Sequence, residues 1–247
     1  MRPWVLLVLA SCAHPAARSP ARLPEPPPAP VAKQPLWPVP VRVMTWTSDG
    51  IVQVGELPDH PPATPVDGAW FVEPTRELDD RAFAKLLVAL RQEHVPGLSL
   101  RGQPALPLGK LAGLPELTAL VLDDTPTDDA DLAELQLALK RLYLQRTNID
   151  DAGVMALVAR EPGLEVLDLE GCGVGDPAAT AIAKLDALHA LDLAGTRITD
   201  AGGAALGALH ALEILDLGKT KIAARTIAAI RPLALRELFV PQTLVGP

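Results

Sequence analysis

Aromatic and basic residues are scarce in this 247-residue sequence, and each shortage excludes a class of protein. Phe, Trp and Tyr together make up 3% of the chain, so the core must be built from Leu, Ala, Val and Ile. The 22 Lys and Arg residues are outnumbered by 30 Asp and Glu, which gives a net charge of −8. A chain with this balance offers no general basic face for phosphates, so we expect no nucleic-acid partner.

Cysteine and long apolar runs are equally sparse. Two cysteines, Cys12 and Cys172, are too few for a disulfide framework. The apolar run from Trp4 to Ala10 is far shorter than the roughly 20 residues that a membrane-spanning helix needs. Because it lies at the N-terminus, just after Arg2, it instead predicts the hydrophobic part of an export signal over residues 1–11.

Motifs for catalysis and metal binding are also missing from the sequence. The five histidines show no His-Glu-x-x-His or paired metal spacing, and no Gly-x-Ser-x-Gly occurs. Gly218-Lys219-Thr220 looks like the end of a phosphate-binding loop, but that motif requires a glycine where Glu213 stands. We therefore expect no enzyme activity, no cofactor and no metal site.

The segment Leu9-Ala10-Ser11-Cys12 closes the export signal and resembles the lipobox of bacterial lipoproteins. The resemblance implies that Cys12 becomes a lipidated N-terminus whose acyl chains anchor the protein in a membrane. Ala13 after this cysteine implies the outer membrane if the source is Gram-negative. Residues 12–40 are rich in Pro and Ala without apolar periodicity, which predicts a semi-rigid tether. The expected location is thus a bacterial cell envelope.

Residues 41–94 predict an N-terminal β-hairpin and helical cap. Two β-rich runs flank Asp49-Gly50, a dipeptide typical of hairpin turns. Trp46 and Trp70 are predicted to cover one end of the core. A degenerate repeat unit is expected to precede the regular repeats, with Thr75 and Asp79 matching Thr147 and Asp151.

A repeat begins at Val95 with a looser copy of the pattern L-x-x-L-x-L-x-x-T. Six fuller copies follow at intervals of 22 to 25 residues, starting at Leu117, Leu139, Leu164, Leu188, Leu212 and Leu235. The L-x-L alternation points leucines to one face of a short strand, and the spacing then becomes helical. The repetition resembles the leucine-rich repeat family, most of all bacterial 24-residue variants of the ribonuclease-inhibitor-like class. This implies an α/β solenoid over residues 95–247, with a parallel β-sheet on the concave side and mostly helices on the convex side.

Two polar columns recur within the repeats. Asp129, Asp151, Asp176 and Asp200 precede the helical stretches and are predicted to be their N-caps. Cys172 replaces a threonine in the second column and is interpreted as a structural, buried thiol. The threonines of that column are predicted to turn inward and bond to neighbouring backbone: Thr125, Thr147, Thr196 and Thr220.

The residue between the last two leucines of each motif is predicted to face the concavity. Three acids in this column would repel one another by roughly 1 kcal/mol per pair, because adjacent strands lie about 4.8 Å apart. A flanking column contributes Glu165 and Glu213, while Lys219 and Arg146 are expected to compensate part of the charge. Down the stack, the concave column reads Ser99, Val121, Tyr143, Asp168, Asp192, Asp216 and Phe239.

Two interpretations of this column stay open. In the first, aromatic anchors and steering acids form a recognition strip for a basic protein segment, made of Tyr143, Asp168, Asp192, Asp216 and Phe239. In the second, the acids are merely solvated side chains on exposed strands. The predicted function is a membrane-anchored, non-enzymatic protein–protein interaction module. The alternative is a structural or adhesive envelope component that binds cell-wall polymer.

Overall fold

The computed structural model describes residues 37–47, 50–58 and 70–244, in which ten strands form one sheet. The strands are β1 (Val41–Thr47), β2 (Gly50–Leu57), β3 (Trp70–Pro74), β4 (Gly97–Ser99), β5 (Ala119–Val121), β6 (Arg141–Tyr143), β7 (Val166–Asp168), β8 (Ala190–Asp192), β9 (Ile214–Asp216) and β10 (Glu237–Phe239). The α-helices are α1 (Asp80–Gln92), α2 (Asp129–Glu134), α3 (Asp151–Arg160), α4 (Asp176–Ile182), α5 (Asp200–Ala205) and α6 (Ala224–Ile230). Short 3-10 helices cover Leu108–Gly113, Leu206–Ala208 and Gln242–Leu244.

Strands β3 to β10 run parallel, and each pairs with the strand of the next repeat along the chain. From β4 to β9, the middle leucine of each three-residue strand points inward, which leaves the residues on either side of it on the concave face. Because one repeat cannot bury its leucines alone, stacking produces one continuous core. The inward leucines of six successive strands are almost completely buried: Leu98, Leu120, Leu142, Leu167, Leu191 and Leu215. The predicted α/β solenoid is confirmed.

The degenerate unit before the regular repeats also joins the solenoid. β3 pairs in parallel with β4 through Val72 and Leu98. Asp79 starts α1 as its N-cap, and its side chain accepts the amide hydrogen of Ala82 at 2.7 Å. The first strand–helix unit of the stack is therefore β3–α1, upstream of the pattern that starts at Val95.

β1 and β2 form an antiparallel hairpin at the N-terminal edge of the sheet. β1 also pairs antiparallel with β3, so the hairpin continues the same sheet. The predicted turn at Asp49 lies outside the described residues. The export signal, Cys12 and most of the tether also lie outside them, so those assignments stay predictions.

The helix N-caps lie one residue before the aspartates that were predicted to form them. Asp128, Asp150 and Thr199 cap α2, α3 and α5 with their side chains. Gly175 and Ala223 hold the same position before α4 and α6 without a side-chain acceptor. The prediction was wrong because repeat spacing does not distinguish two adjacent capping candidates. The first helical residues are instead Asp129, Asp151, Asp176 and Asp200.

These first-turn aspartates accept hydrogen bonds from the following repeat. Asp151 Oδ1 accepts the amide hydrogens of Gly175 at 2.7 Å and of Ala178 at 3.2 Å. Asp200 Oδ1 accepts the amide of Thr226 at 3.0 Å and its hydroxyl at 2.8 Å. Asp151 and Asp200 thus satisfy amide groups at the starts of α4 and α6, whose own N-caps have no side-chain acceptor.

The packing between repeats also explains why glycine stands at position 202, two residues after the first helical residue Asp200. Asp176 Oδ1 accepts the amide of Thr199 at 2.8 Å. A Cβ atom at Gly202 would lie 2.5 Å from this oxygen and 2.7 Å from the Cα of Asp176, which is too close for the present packing. Glycine therefore makes room for the carboxylate of the preceding repeat.

The threonine column turns inward as predicted. Each of its four hydroxyls donates to the carbonyl three residues earlier, at 2.6 to 2.7 Å. Cys172 takes the same position, and its thiol donates to the Leu144 carbonyl at 3.0 Å. Because burial raises the pKa of this thiol, the interpretation of Cys172 as a structural residue agrees with its surroundings.

Candidate functional site

The concave face is divided into a covered half and an open half. On the covered half, β4 and β5 present only small side chains, and all of them are buried: Gly97, Ser99, Ala119 and Val121. On the open half, β7, β8 and β9 present side chains that keep contact with solvent: Val166, Asp168, Ala190, Asp192, Ile214 and Asp216. The same leucine frame thus supports two different surfaces.

Trp46 of the hairpin closes the covered half. Its ring centroid lies 4.3 Å from that of Phe71 on β3 and 6.0 Å from that of Tyr143 on β6. The Trp46 ring therefore passes over β4 and β5, which stand between those two strands. The guanidinium of Arg141 lies 5.4 Å from the Trp46 centroid and adds a cation–π contact.

Of the two tryptophans predicted to cover an end of the core, Trp70 packs against the core, whereas Trp46 lies over the concave face. The prediction for Trp46 was wrong because the contact between β1 and β6 is long-range and leaves no local pattern.

Gly97 allows β3 to lie close to β4. A Cβ atom at Gly97 would lie 2.6 Å from the Cβ of Phe71 and 2.7 Å from the Trp70 carbonyl oxygen. Glycine at this position thus makes room for the backbone and aromatic side chains of β3.

Tyr143, predicted as an aromatic anchor for a partner, marks the boundary between the two halves. Its ring stacks on Trp46 with an interplanar angle of 11°. Burial raises the pKa of its hydroxyl to about 12, with the Asp168 carboxylate adding to the increase and Arg141 opposing it. The part of the Tyr143 side chain that Trp46 does not cover therefore faces the open half.

Asp168, Asp192 and Asp216 stand in register on β7, β8 and β9, as the column predicts. The Oδ1 atom of each accepts the amide hydrogen two residues later, at 2.9, 2.8 and 2.7 Å respectively. These bonds fix how the carboxylates are oriented. Among the residues that the structure describes, no ion pair involves any of the three.

Neither of the two cations expected to compensate the three acids, Arg146 and Lys219, forms an ion pair with them among the described residues. Arg146 forms two hydrogen bonds with Asp124, at 2.6 and 2.7 Å, and does not reach the strip. In the flanking column, Lys140 pairs with Glu165 at 2.9 Å and Arg236 with Glu213 at 3.2 Å. In the described part of the chain, no ion pair of Lys219 is found either. Glu165 and Glu213 of the flanking column are thus paired with cations, whereas the three acids of the strip are not.

Desolvation keeps two of the strip carboxyls from ionising easily. It raises the pKa of Asp168 to about 7; the Glu170 amide opposes the increase, and the charge of Asp192 adds to it. It likewise raises the pKa of Asp192 to about 6, with the Ala194 amide opposing and Asp216 adding. A cationic group brought to the strip would favour the charged carboxylates and release protons from them.

A second concave column lies beside the acids and was not recognised from the sequence. Val166, Ala190 and Ile214 flank the inward leucines on the side opposite the aspartates, and Ile214 is 38% exposed. Glu165 and Glu213, which were assigned to the flanking column, precede these strands. The signal that identifies the apolar column is the two-residue period itself, applied to both neighbours of each leucine.

Together the acidic and apolar columns line a groove of about 260 Å³, called the concave groove below. Its acidic side and its apolar side run parallel across three strands. Tyr143 stands at one end, and Phe239, which is 52% exposed, stands at the other. The groove thus brings together the five residues of the predicted strip and adds Val166, Ala190 and Ile214 to them.

The described part of the chain contains neither a metal-binding cluster nor a helix able to span a membrane. Within residues 37–47, 50–58 and 70–244, no group of three or more His, Cys, Asp or Glu side chains is arranged to hold a metal ion. In the same ranges, no helix combines the length and the apolar character needed to span a membrane.

Comparison with known families identifies the repeats. The family model described as Leucine Rich repeat matches residues 139–158, 164–183 and 188–207. These stretches contain β6, β7 and β8, most of α3, and all of α4 and α5. The chain therefore contains leucine-rich repeats, as predicted. A search of curated proteins gave no match.

Solved structures with a similar fold include two internalins of Listeria monocytogenes. Internalin C2 is 20% identical, with a TM-score of 0.48 over 69% of this chain and 79% of that one. An internalin named inlF is 18% identical, with a TM-score of 0.48 over 65% of this chain and 50% of that one. The plant peptide hormone receptor RGFR1, solved in complex with RGF2, is 16% identical, with a TM-score of 0.44 over 69% and 31%.

Proposed function

We propose that this leucine-rich-repeat protein is a membrane-anchored, non-enzymatic module that recognises a protein partner through the concave groove. Leucine-rich repeats generally mediate protein–protein interaction. The observation that carries the proposal is the set of three carboxylates in register, partly desolvated and without a cation, beside an exposed apolar column. Carboxyls whose pKa is raised by burial, as for Asp168 and Asp192, cluster at functional sites, where burial and neighbouring charges are arranged to shift pKa values.

The chemistry of the groove favours a partner segment that carries basic residues. Asp168, Asp192 and Asp216 would steer such a segment and pair with it in a partly water-excluded site. Ile214 and Phe239 are exposed and would lose contact with solvent on binding, which contributes hydrophobic stabilisation. Tyr143 would contact the same segment at the edge of the Trp46 cover.

The membrane anchor in this proposal comes from Cys12 and its resemblance to a lipobox cysteine. Acyl chains on Cys12 would hold the protein in a bacterial envelope membrane, the outer membrane if the source is Gram-negative. The Pro-rich tether that follows would keep the repeats away from the bilayer surface. Cys12→Ala is expected to move the protein from the membrane fraction to the soluble fraction of the cells that produce it. Retention of the variant in the membrane fraction would contradict the anchor.

The groove is tested by crosslinking the native chain in its envelope and identifying the captured proteins. The variant D168N/D192N/D216N keeps the acceptor oxygens that bond to Glu170, Ala194 and Gly218, so folding should be preserved while capture falls at least about fivefold. The matched control is E77Q/E93Q/D186N, which removes three charges from exposed positions outside the groove and should leave capture unchanged.

Unchanged capture by the groove variant would show that the partner binds elsewhere. The alternative function, adhesion to cell-wall polymer, is separated by incubating the same chain with purified cell wall at low and high salt. Retention that salt does not weaken, combined with no captured protein, would overturn the interaction module in favour of that alternative.

A further inference from the structure

We propose that the concave groove binds an amphipathic α-helix of about 13 residues, with a basic stripe over the three aspartates and an apolar stripe over the second column. This inference rests on the proposed function and specifies the partner's secondary structure and residue spacing. It depends on three properties of the groove: its length, the interval between its acids and the placement of its apolar side.

The length of the groove sets the length of the bound segment. Tyr143, Asp168, Asp192, Asp216 and Phe239 occupy equivalent positions on five consecutive parallel strands. Four intervals of about 4.8 Å span about 19 Å. An α-helix rises about 1.5 Å per residue, so about 13 residues cover this distance, whereas an extended segment needs only about six.

The interval between the acids favours the helix over an extended segment. In a helix, side chains at i, i+3 and i+7 share one face and lie about 4.5 and 10.5 Å apart along the axis. The second and third acids lie about 4.8 and 9.6 Å from the first. Along the helix axis, each basic residue is therefore displaced from its aspartate by about 1 Å or less. In an extended segment, side chains on one face recur about every 6.6 Å. The third side chain is then displaced by about 4 Å from the third aspartate.

The apolar side of the groove requires a second stripe on the same helix. Val166, Ala190 and Ile214 form a column parallel to the acids, on the other side of the inward leucines. Helix positions i+1, i+4 and i+8 lie about 100° around the axis from the basic stripe, so apolar residues there would reach this column. A helix with these two adjacent stripes fits the groove in one of its two directions.

The electrostatics of the groove complement such a helix. None of the ion pairs among the described residues uses the strip, and the nearest basic side chains of the flanking column are paired with Glu165 and Glu213. A basic helix would therefore supply the cations that the groove lacks without displacing an internal pair. Trp46 and Tyr143 close the N-terminal end, so the helix is confined to the open half.

The test uses the full chain and three synthetic peptides in isothermal titration calorimetry. The first is a helix fixed by a hydrocarbon staple on its solvent side, with Lys at i, i+3 and i+7 and Leu at i+1, i+4 and i+8. The second is a stapled helix of the same composition that keeps the leucines in place and moves the lysines to i, i+2 and i+6, so that they no longer share one face. The third is an unstapled peptide in which Lys and Leu alternate, as they would on an extended strand.

We expect the first peptide to bind at least about tenfold more tightly than the other two. D168N/D192N/D216N should weaken its binding about tenfold and Ile214→Thr about threefold, whereas E77Q/E93Q/D186N should leave it unchanged. Equal or tighter binding of the alternating peptide would overturn the helix. If no peptide binds but D168N/D192N/D216N still lowers capture from the envelope, the helix proposal is overturned and the proposed function stands. Absence of both effects would overturn the proposed function as well.

Discussion

The covered and open halves of the concave face share one backbone frame but differ in the side chains that stand on it. β4 and β5 present small residues, and Trp46 closes over them. β7, β8 and β9 present a carboxylate and an apolar side chain on each strand, and solvent reaches both. The comparison shows that the leucines determine the solenoid, whereas the two concave positions of each strand determine whether the chain covers its own surface or leaves it available.

The largest expected effect comes from placing an open-half residue in the covered half. Val121→Asp puts a carboxylate at a position that is 4% exposed, beneath the Trp46 cover. A buried charge without a partner should lower the free energy of unfolding by about 3 to 5 kcal/mol, measured by urea denaturation. The matched variant Val166→Asp places the same charge on the open half and should cost about 1 kcal/mol or less. Equal losses for the two variants would show that the halves do not differ in burial.

A smaller effect is expected from removing the cover itself. Trp46→Ala deletes the ring that contacts Phe71, Tyr143 and Arg141, and should destabilise the protein by about 2 kcal/mol. The covered half should then admit solvent, which amide hydrogen exchange at β4 and β5 would detect. Phe239→Ala, at the opposite end of the groove, should cost less than about 1 kcal/mol because that ring is 52% exposed. Unaltered exchange at β4 and β5 would mean that Trp46 is not what excludes water there.

The smallest effect concerns pH and the acids of the open half. The pKa values of about 7 for Asp168 and about 6 for Asp192 lie above those of an unfolded chain, so the folded state holds extra protons between about pH 4 and 7. Stability from these groups is complete below about pH 4 and is lost as pH rises through 6 to about 7. D168N/D192N should therefore stabilise the protein at about pH 8 by on the order of 1 kcal/mol and have little effect at about pH 4. A gain of the same size at both pH values would exclude ionisation as its cause.

The period of the leucines was sufficient to predict the repeats, the parallel sheet and the register of the acidic column. Each of these depends on residues a few positions apart, whose geometry the two-residue and helical periods determine. Two features could not be predicted in the same way, because they join distant parts of the chain. Trp46 on β1 meets Tyr143 on β6 across three intervening strands, and Asp151 bonds to Gly175 in the next repeat. The apolar column of the groove is a different case, since strand alternation applied to Val166 would have identified it.

The hydrogen bonds between repeats give the solenoid a direction. Asp129, Asp151, Asp176 and Asp200 each bond to backbone amides of the repeat that follows, so helix starts depend on the repeat before them. In a one-dimensional stack, such bonds act as a nearest-neighbour coupling that raises cooperativity. The coupling is also unequal in its two senses. When an early repeat opens, the helix start of the next repeat loses its carboxylate acceptor, so unfolding propagates toward the C-terminus. When the last repeat frays, every earlier helix start keeps its acceptor.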